Sequence, residues 1–113
     1  MSRLLAGIIL AACFVSSDAS AKDTMFWNLT AQTITSLQLS PAGDNAWGPD
    51  QTANDSDHSV DHDERLKVIG IVSGLYDVKF ADKSGRSCIV RGVAIKQGAI
   101  FSIDEKKAQT CGK

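Results

Sequence analysis

Two apolar runs joined by a short polar turn, in residues 75–93, constrain the fold of this chain more than any other feature. In the first run, Tyr76, Val78 and Phe80 occupy every second position, which is the repeat of a strand with one buried face. The turn, residues 82–85, begins with aspartate and ends with glycine, as tight hairpin turns commonly do. The sequence therefore predicts a β-hairpin whose polar side chains face outward.

Similar short runs precede and follow this hairpin. They are rich in alternating or β-branched residues and occupy residues 24–30, 33–40, 65–72 and 99–104. In the second of these runs Ile34 is out of phase with Leu37 and Leu39, which predicts a β-bulge near Thr35 or Ser36. Since no run has a sustained helical period, we expect an all-β fold, a small antiparallel β-sandwich of about six to seven strands.

Length and composition indicate one small domain with one core. The chain has 113 residues, 12 of them basic and 13 acidic, so its charge gives no reason to expect nucleic-acid binding. The predicted core consists of apolar side chains from the strand runs: Trp27, Leu37, Leu39, Tyr76, Val78, Phe80 and Phe101.

The N-terminal segment differs in character from the rest of the chain. Arg3 is followed by an apolar run and then by an Ala-Ser-Ala sequence before Lys22, which is the pattern of a cleaved secretory signal peptide. The apolar run, about a dozen residues, is shorter than the roughly 20 that span a membrane. We expect a signal peptide in residues 1–21, one domain without a transmembrane span in residues 22–113, and a periplasmic or secreted location.

The cysteines add two expectations. Cys13 ends a Leu-Ala-Ala-Cys sequence similar to the lipobox of bacterial lipoproteins, so a lipoprotein anchored through Cys13 is the alternative to a soluble exported form. Cleavage after the Ala-Ser-Ala sequence would leave Cys88 and Cys111, and an even cysteine count in a small exported domain predicts a disulfide between them.

Residues 44–64 form a long polar stretch with few apolar side chains that could pack. Loops of this length are uncommon in compact domains and are either functional or disordered. Its imidazoles and carboxylates are candidate ligands for a divalent metal, while no other cofactor is predicted: His58, His62, Asp57, Asp61 and Asp63. The calcium-loop pattern fails because Val60 occupies its glycine position. The alternative is a solvated acidic loop that keeps a sheet edge soluble.

Trp47 and Asp50 are the other candidates in this loop. An aromatic side chain in a polar loop is either a partner anchor or a plug over the end of the sandwich, with Asp50 capping a turn. The chain lacks the nucleophile elbow, metalloprotease helix and phosphate-binding glycine loop of common enzymes, so no enzyme is predicted. The sequence favours a non-enzymatic module that binds a protein partner in the cell envelope, with a metal-binding protein as the alternative.

Motifs spread over nearly all of residues 22–113 carry a family resemblance: Asn28, Ser40-Pro41, Trp47-Gly48-Pro49-Asp50, Tyr76-Asp77-Val78-Lys79, Gly85, residues 88–94 and Cys111. Together they resemble small exported proteins, mostly alphaproteobacterial, that are labelled uncharacterised or Tat-pathway signal proteins. The resemblance implies a small β-sandwich without an established activity. The chain departs from the family at Gly74 and Lys96, where members often have a second cysteine pair, and at Thr52, where they have leucine.

A fainter similarity concerns residues 73–76. Their Ser-Gly-Leu-Tyr sequence resembles the serine–glycine loop of periplasmic lysozyme inhibitors, with poorly matching spacing. Inhibition of a secreted enzyme is therefore a remote alternative function.

Overall fold

The computed structural model describes residues 22–108 and Cys111. Its six strands are β1 (Thr24–Leu29), β2 (Ile34–Pro41), β3 (Arg65–Val68), β4 (Gly74–Asp82), β5 (Ser87–Ile95) and β6 (Ile100–Asp104). The only helical elements in this part of the chain are a 3₁₀ turn, Gln51–Asn54, and the single turn α1, Glu105–Ala108. The predicted all-β class is confirmed. The predicted signal peptide, residues 1–21 with Cys13, lies outside the described residues.

The strands form two three-stranded sheets, ordered β3-β1-β6 and β2-β4-β5. Pairing is antiparallel between β1 and β3, β2 and β4, and β4 and β5, as predicted. The first and last strands, β1 and β6, are paired in parallel, which the antiparallel prediction did not include. Alternation of apolar residues shows which face of a strand is buried, but it carries no information about the direction of its neighbour.

Both sheets bury one face in a common hydrophobic core. All the predicted core residues except Trp27 are buried. Trp27 is half-buried, and its ring lies 4.6 Å from the guanidinium carbon of Arg65. Its neighbour Phe26 is fully buried and packs against Phe101, with the ring centroids 5.4 Å apart. The prediction for Trp27 is wrong because β1 has an aromatic residue on each face, so alternation could not identify the inner one.

The central hairpin, β4 and β5, is confirmed, and so is the bulge in β2, where the register shifts between Ile34 and Ser36. A second register shift was not predicted: between Tyr76 and Val78 of β4, the single residue Asp77 faces two residues of β5, Arg91 and Gly92. Asp77 is buried, as are its two neighbours. The expectation that the polar side chains of the hairpin face outward is therefore wrong for Asp77.

Strand β3 is shorter than the predicted run of residues 65–72. It ends at Val68, and Gly70 has a φ of 80°, a left-handed conformation that favours glycine and interrupts a strand. Beyond this point Ile69 and Val72 are exposed rather than packed. The connection to β4 therefore presents apolar side chains at the surface.

The predicted disulfide between Cys88 and Cys111 is confirmed. Cys88 is buried at the start of β5, and Cys111 is half-buried against the core. The disulfide joins Cys111 to the sheet β2-β4-β5. In the described part of the chain no helix is long and apolar enough to cross a membrane.

Candidate functional site

Residues 44–64 cover the open edge of β2. The backbone N–H of Leu37 donates to Oδ1 of Asp50 at 3.0 Å, and the N–H of Gly48 donates to the carbonyl of Leu39 at 2.9 Å. An edge strand has unpaired backbone groups that must find partners. The loop supplies them, which agrees with the predicted role of keeping a sheet edge soluble.

The same loop covers the edge of β3 through the 3₁₀ turn Gln51–Asn54. The side-chain amide of Gln51 imitates a neighbouring strand, because it accepts from the N–H of Ile69 and donates to the carbonyl of Ile69, both at 3.0 Å. The amide of Asn54 donates to the carbonyl of Lys67 at 2.8 Å. The loop therefore closes the gap between the edge strands of the two sheets.

Val60 connects the loop to the core. Its side chain is fully buried, and its backbone exchanges two hydrogen bonds of 2.9 Å with Ile34 of β2. The buried Asn28 of β1 donates to the carbonyl of Val60 at 2.8 Å. Thr52 is also buried. The buried side chains of residues 44–64 are thus Gln51, Thr52 and Val60.

Two of the predicted metal ligands, Asp61 and Asp63, hold the loop against neighbouring strands. Oδ1 of Asp61 accepts from the hydroxyl of Thr33 at 3.0 Å. Oδ1 of Asp63 accepts from the indole N–H of Trp27 at 3.0 Å. Each contact uses one carboxylate oxygen, so each side chain already has a role within the protein.

The other three predicted ligands are exposed. The Nδ1 atom of His62 lies 2.7 Å from the carbonyl of Thr30, and since that oxygen can only accept, Nδ1 is the donor in this contact. Asp57 accepts from the hydroxyl of Ser59 at 3.1 Å. His58 has a positive φ of 57°, as expected for a tight turn.

Asp55 and Asp57 form an acidic pair within the loop. A hydrogen bond with Asp57 raises the pKa of Asp55, while the bonds from Asp55 and Ser59 lower the pKa of Asp57. Within residues 22–108 and Cys111, no three His, Cys, Asp or Glu side chains meet in an arrangement that could hold a metal ion. Metal binding by the loop stays a prediction from the sequence.

Trp47 lies on the outer face of the sheet β2-β4-β5 rather than over the end of the sandwich. Its ring is 4.6 Å from Nζ of Lys79, and Lys79 alternates with the buried Val78 and Phe80, so it points away from the core. Asp50 caps the 3₁₀ turn as predicted, since its Oδ1 accepts from the backbone N–H of Thr52 at 3.0 Å.

An apolar groove of about 440 Å³ lies next to this loop. The loop forms one wall, the connection between β3 and β4 forms the other, and β2 and β4 form the floor. The apolar side chains that line it are Leu39, Pro41, Pro49, Ile69, Ile71 and Tyr76. These residues are far apart in sequence, so no local pattern could have shown the groove.

Asp77 is a second feature that the sequence did not show. Its carboxylate accepts from the N–H of Gly43 at 2.9 Å, the N–H of Gly92 at 3.1 Å and Nη1 of Arg91 at 2.9 Å. The hydrogen bond from Gly43, with those from Gly92 and Arg91, lowers the pKa of Asp77 although burial opposes this. Gly92 has a φ of 68°, and a glycine inside a strand pattern is the signal that could have indicated this bulge.

Asp82 forms a similar centre at the hairpin turn, and it too was predicted to face outward. Burial alone would raise its pKa, but hydrogen bonds from Ser84 and Arg86 lower the pKa below its usual value. Arg86 also donates to Glu105 at 2.6 Å. This contact, with a hydrogen bond from the N–H of Ala31, lowers the pKa of Glu105. The network joins the hairpin turn to α1 and to the turn after β1.

Acid is expected to destabilise the domain through these carboxylates. Since the pKa values of Asp77 and Asp82 are lowered in the folded state, their contribution is present above the usual aspartate pKa and is lost as the pH falls through the folded values. We expect the urea midpoint to be constant from about pH 7 to 5 and to fall below about pH 4.

The matched variants are Asp77→Asn and Asp23→Asn, of which Asp23 is exposed. Asp77→Asn should lower the midpoint at neutral pH and flatten its decline in acid, whereas Asp23→Asn should leave the profile unchanged. Parallel profiles for the wild type and Asp77→Asn would show that Asp77 does not contribute to the acid response.

Comparison with protein-family models, with curated proteins and with solved structures found no match. The resemblance to small exported proteins, and the export that it implies, therefore stay predictions.

Proposed function

We propose that this protein is an exported, non-enzymatic module that binds a protein partner through the apolar groove. The observation that carries this proposal is a group of exposed apolar side chains in and next to the connection between β3 and β4, of which Ile69 lines the groove. Among the described residues, three of the five exposed large hydrophobic side chains lie close together in the chain: Ile69 (56% exposed), Val72 (62%) and Leu75 (59%). Exposed apolar surface of this kind is typical of interaction sites.

Two of these residues, Ile69 and Val72, lie in or next to the groove. Ile69 lines it directly, and the carbonyl of Val72 accepts from the hydroxyl of Tyr76, another lining residue, at 2.7 Å. The amide of Gln51 holds the backbone of Ile69 by two hydrogen bonds. Because the groove is fixed before a partner arrives, little ordering entropy would be lost on binding.

Two further observations support the proposal. The buried carboxylates Asp77 and Asp82 are occupied by backbone and arginine donors, which suits a structural role rather than acid–base chemistry. The disulfide between Cys88 and Cys111 fits an oxidising compartment outside the cytoplasm.

Site-specific photo-crosslinking in the producing cells tests the proposal. A photoreactive amino acid at Val72 should give a discrete crosslinked product, because this side chain is exposed next to the groove. The matched control is the same amino acid at Ile89, which is exposed on the surface of β5.

A substitution in the groove tests whether the Val72 crosslink depends on binding there. Ile69→Glu should reduce the yield of the Val72 product at least about tenfold, since a charge in the apolar contact must be desolvated without a partner. Equal products from Val72 and Ile89, or a Val72 product that is insensitive to Ile69→Glu, would contradict binding through the groove.

A further inference from the structure

A second cavity, of about 460 Å³, lies between β5 and β6. Residues 90–94 of β5, residues 100–102 of β6 and Lys107 line it, and we refer to it as the β5–β6 seam. A cavity on the face of a sheet would be lined by every second residue of a strand, because side chains alternate between faces. Consecutive residues line this one, so it runs along the edges of the two strands.

Among the strands of the described residues, β5 pairs only with β4 and β6 pairs only with β1, so both are edge strands there. They share the turn in which the N–H of Ala99 donates to the carbonyl of Lys96 at 3.0 Å. The carbonyl of Ala99 accepts from Met25 at the start of β1, whereas the carbonyl of Ser102 lies 3.5 Å from Nζ of Lys107. The seam therefore lies on the side of β6 that does not face β1.

On the opposite side of the sandwich, the corresponding gap between the edge strands β2 and β3 is closed. There the loop of residues 44–64 lies between β2 and β3. Gly48, Asp50 and Val60 form hydrogen bonds with β2, and the amide of Gln51 bonds the backbone of Ile69, the residue after β3. In residues 22–108, no segment lies between β5 and β6 in this way. Cys111 is bonded to Cys88, which precedes the residues that line the seam.

The charge of the lining defines the chemistry of an occupant. The described residues that line the seam include two cations, Arg91 and Lys107, and no carboxylate. The side chain of Arg91 is 57% exposed although it is paired with Asp77. Since backbone edges require a ligand with repeating N–H and C=O groups, and the cations favour negative charge, the matching ligand is an extended acidic peptide.

We propose that the β5–β6 seam binds an extended acidic segment of a partner protein as an added β-strand. The added strand forms backbone hydrogen bonds with an open strand edge and places its carboxylates near Arg91 and Lys107. This surface is separate from the apolar groove, so the two proposals can fail independently.

The test uses three synthetic peptides and the whole protein. The probe has the sequence Thr-Val-Glu-Val-Glu-Val-Thr, blocked at both ends; one control has lysine in place of glutamate, and the other has N-methylated valines, which lack the donors of a strand. We expect fluorescence polarisation to show at least about tenfold tighter binding of the probe than of either control. Hydrogen exchange with bound probe should slow at residues 90–94 or 100–102.

A charge-reversal pair tests the site on the protein. Lys107→Glu should weaken binding of the probe at least about fivefold relative to Lys106→Glu, which changes net charge equally but does not line the seam. Equal binding of the N-methylated peptide, no slowing of exchange at the seam, or loss of binding with Ile69→Glu instead of Lys107→Glu would each overturn the proposal. The peptide comparison needs no variant, so it stands even if a substitution disturbs folding.

Discussion

Removal of the disulfide is expected to lower the free energy of unfolding by about 3 kcal/mol, because Cys88 and Cys111 are separated by 23 residues and the bond restricts the unfolded chain. The expected loss is a large fraction of the roughly 5 to 15 kcal/mol that stabilises a typical domain. The measurement is urea unfolding of the Cys88→Ala/Cys111→Ala variant. Alanine is chosen because Cys88 is buried, where serine would add an unpaired hydroxyl.

The control is the wild-type protein with and without a reducing agent. Reduction keeps both side chains and removes only the bond, so the reduced wild type and the double variant should unfold at similar urea concentrations. A difference of less than about 1 kcal/mol between the oxidised and reduced wild type would contradict the expected contribution of the bond.

The strands and most of the core could be predicted from the sequence because they depend on local signals. Tyr76, Val78 and Phe80 alternate around one turn, and all three are buried. Trp27 was misplaced because its neighbour Phe26 satisfies the same pattern in the other phase. Burial within β1 is decided by the partners β3 and β6, which are distant in sequence.

Asp77 illustrates a different limit. Alternation assigns it to the outer face, but a bulge in β5 at Arg91 and Gly92 places two donors at its carboxylate, and Gly43 supplies a third. A buried carboxylate is stable only when such donors surround it. The positions of Arg91 and Gly92 depend on the register of β5 against β4, which the sequence of β4 alone does not predict.

The candidate surfaces were the least predictable part. The sequence indicated residues 44–64 as a site because they are polar and long, and the structure shows that they close one side of the sandwich. The apolar groove and the β5–β6 seam are formed by segments that meet only in the folded domain. The exposed Ile69 and Val72 belonged to a predicted strand, so their exposure was not expected.

Asn28 is expected to be one of the most sensitive single positions, because its fully buried amide joins three segments of the chain. Nδ2 donates to the carbonyls of Gln32 and Val60, both at 2.8 Å. Oδ1 accepts from the N–H of Thr30 at 2.9 Å and from its hydroxyl at 2.7 Å. Asn28→Ala leaves the N–H of Thr30 without its acceptor and removes one of two donors from the carbonyls of Gln32 and Val60. A single methyl group does not fill the site.

We expect Asn28→Ala to lower the free energy of unfolding by about 3 kcal/mol, since one buried polar group left unpaired costs roughly 1 to 3 kcal/mol and each other lost hydrogen bond about 1 kcal/mol. The matched control is Asn54→Ala, because Asn54 also donates two hydrogen bonds of 2.8 Å but is exposed. Water can replace its partners, so this variant should lose less than about 1 kcal/mol. Urea unfolding measures both losses.

Hydrogen exchange then shows which amides lose protection in Asn28→Ala. Because Asn28 holds the carbonyl of Val60, the amide of Val60 should exchange much faster in Asn28→Ala, whereas amides of the hairpin β4–β5 should change only as far as global stability falls. If exchange is faster by the same factor at all amides, Asn28 contributes to global stability but does not specifically hold residues 44–64. Selective acceleration within residues 44–64 would show that one buried amide on β1 keeps the closing loop in place between β2 and β3.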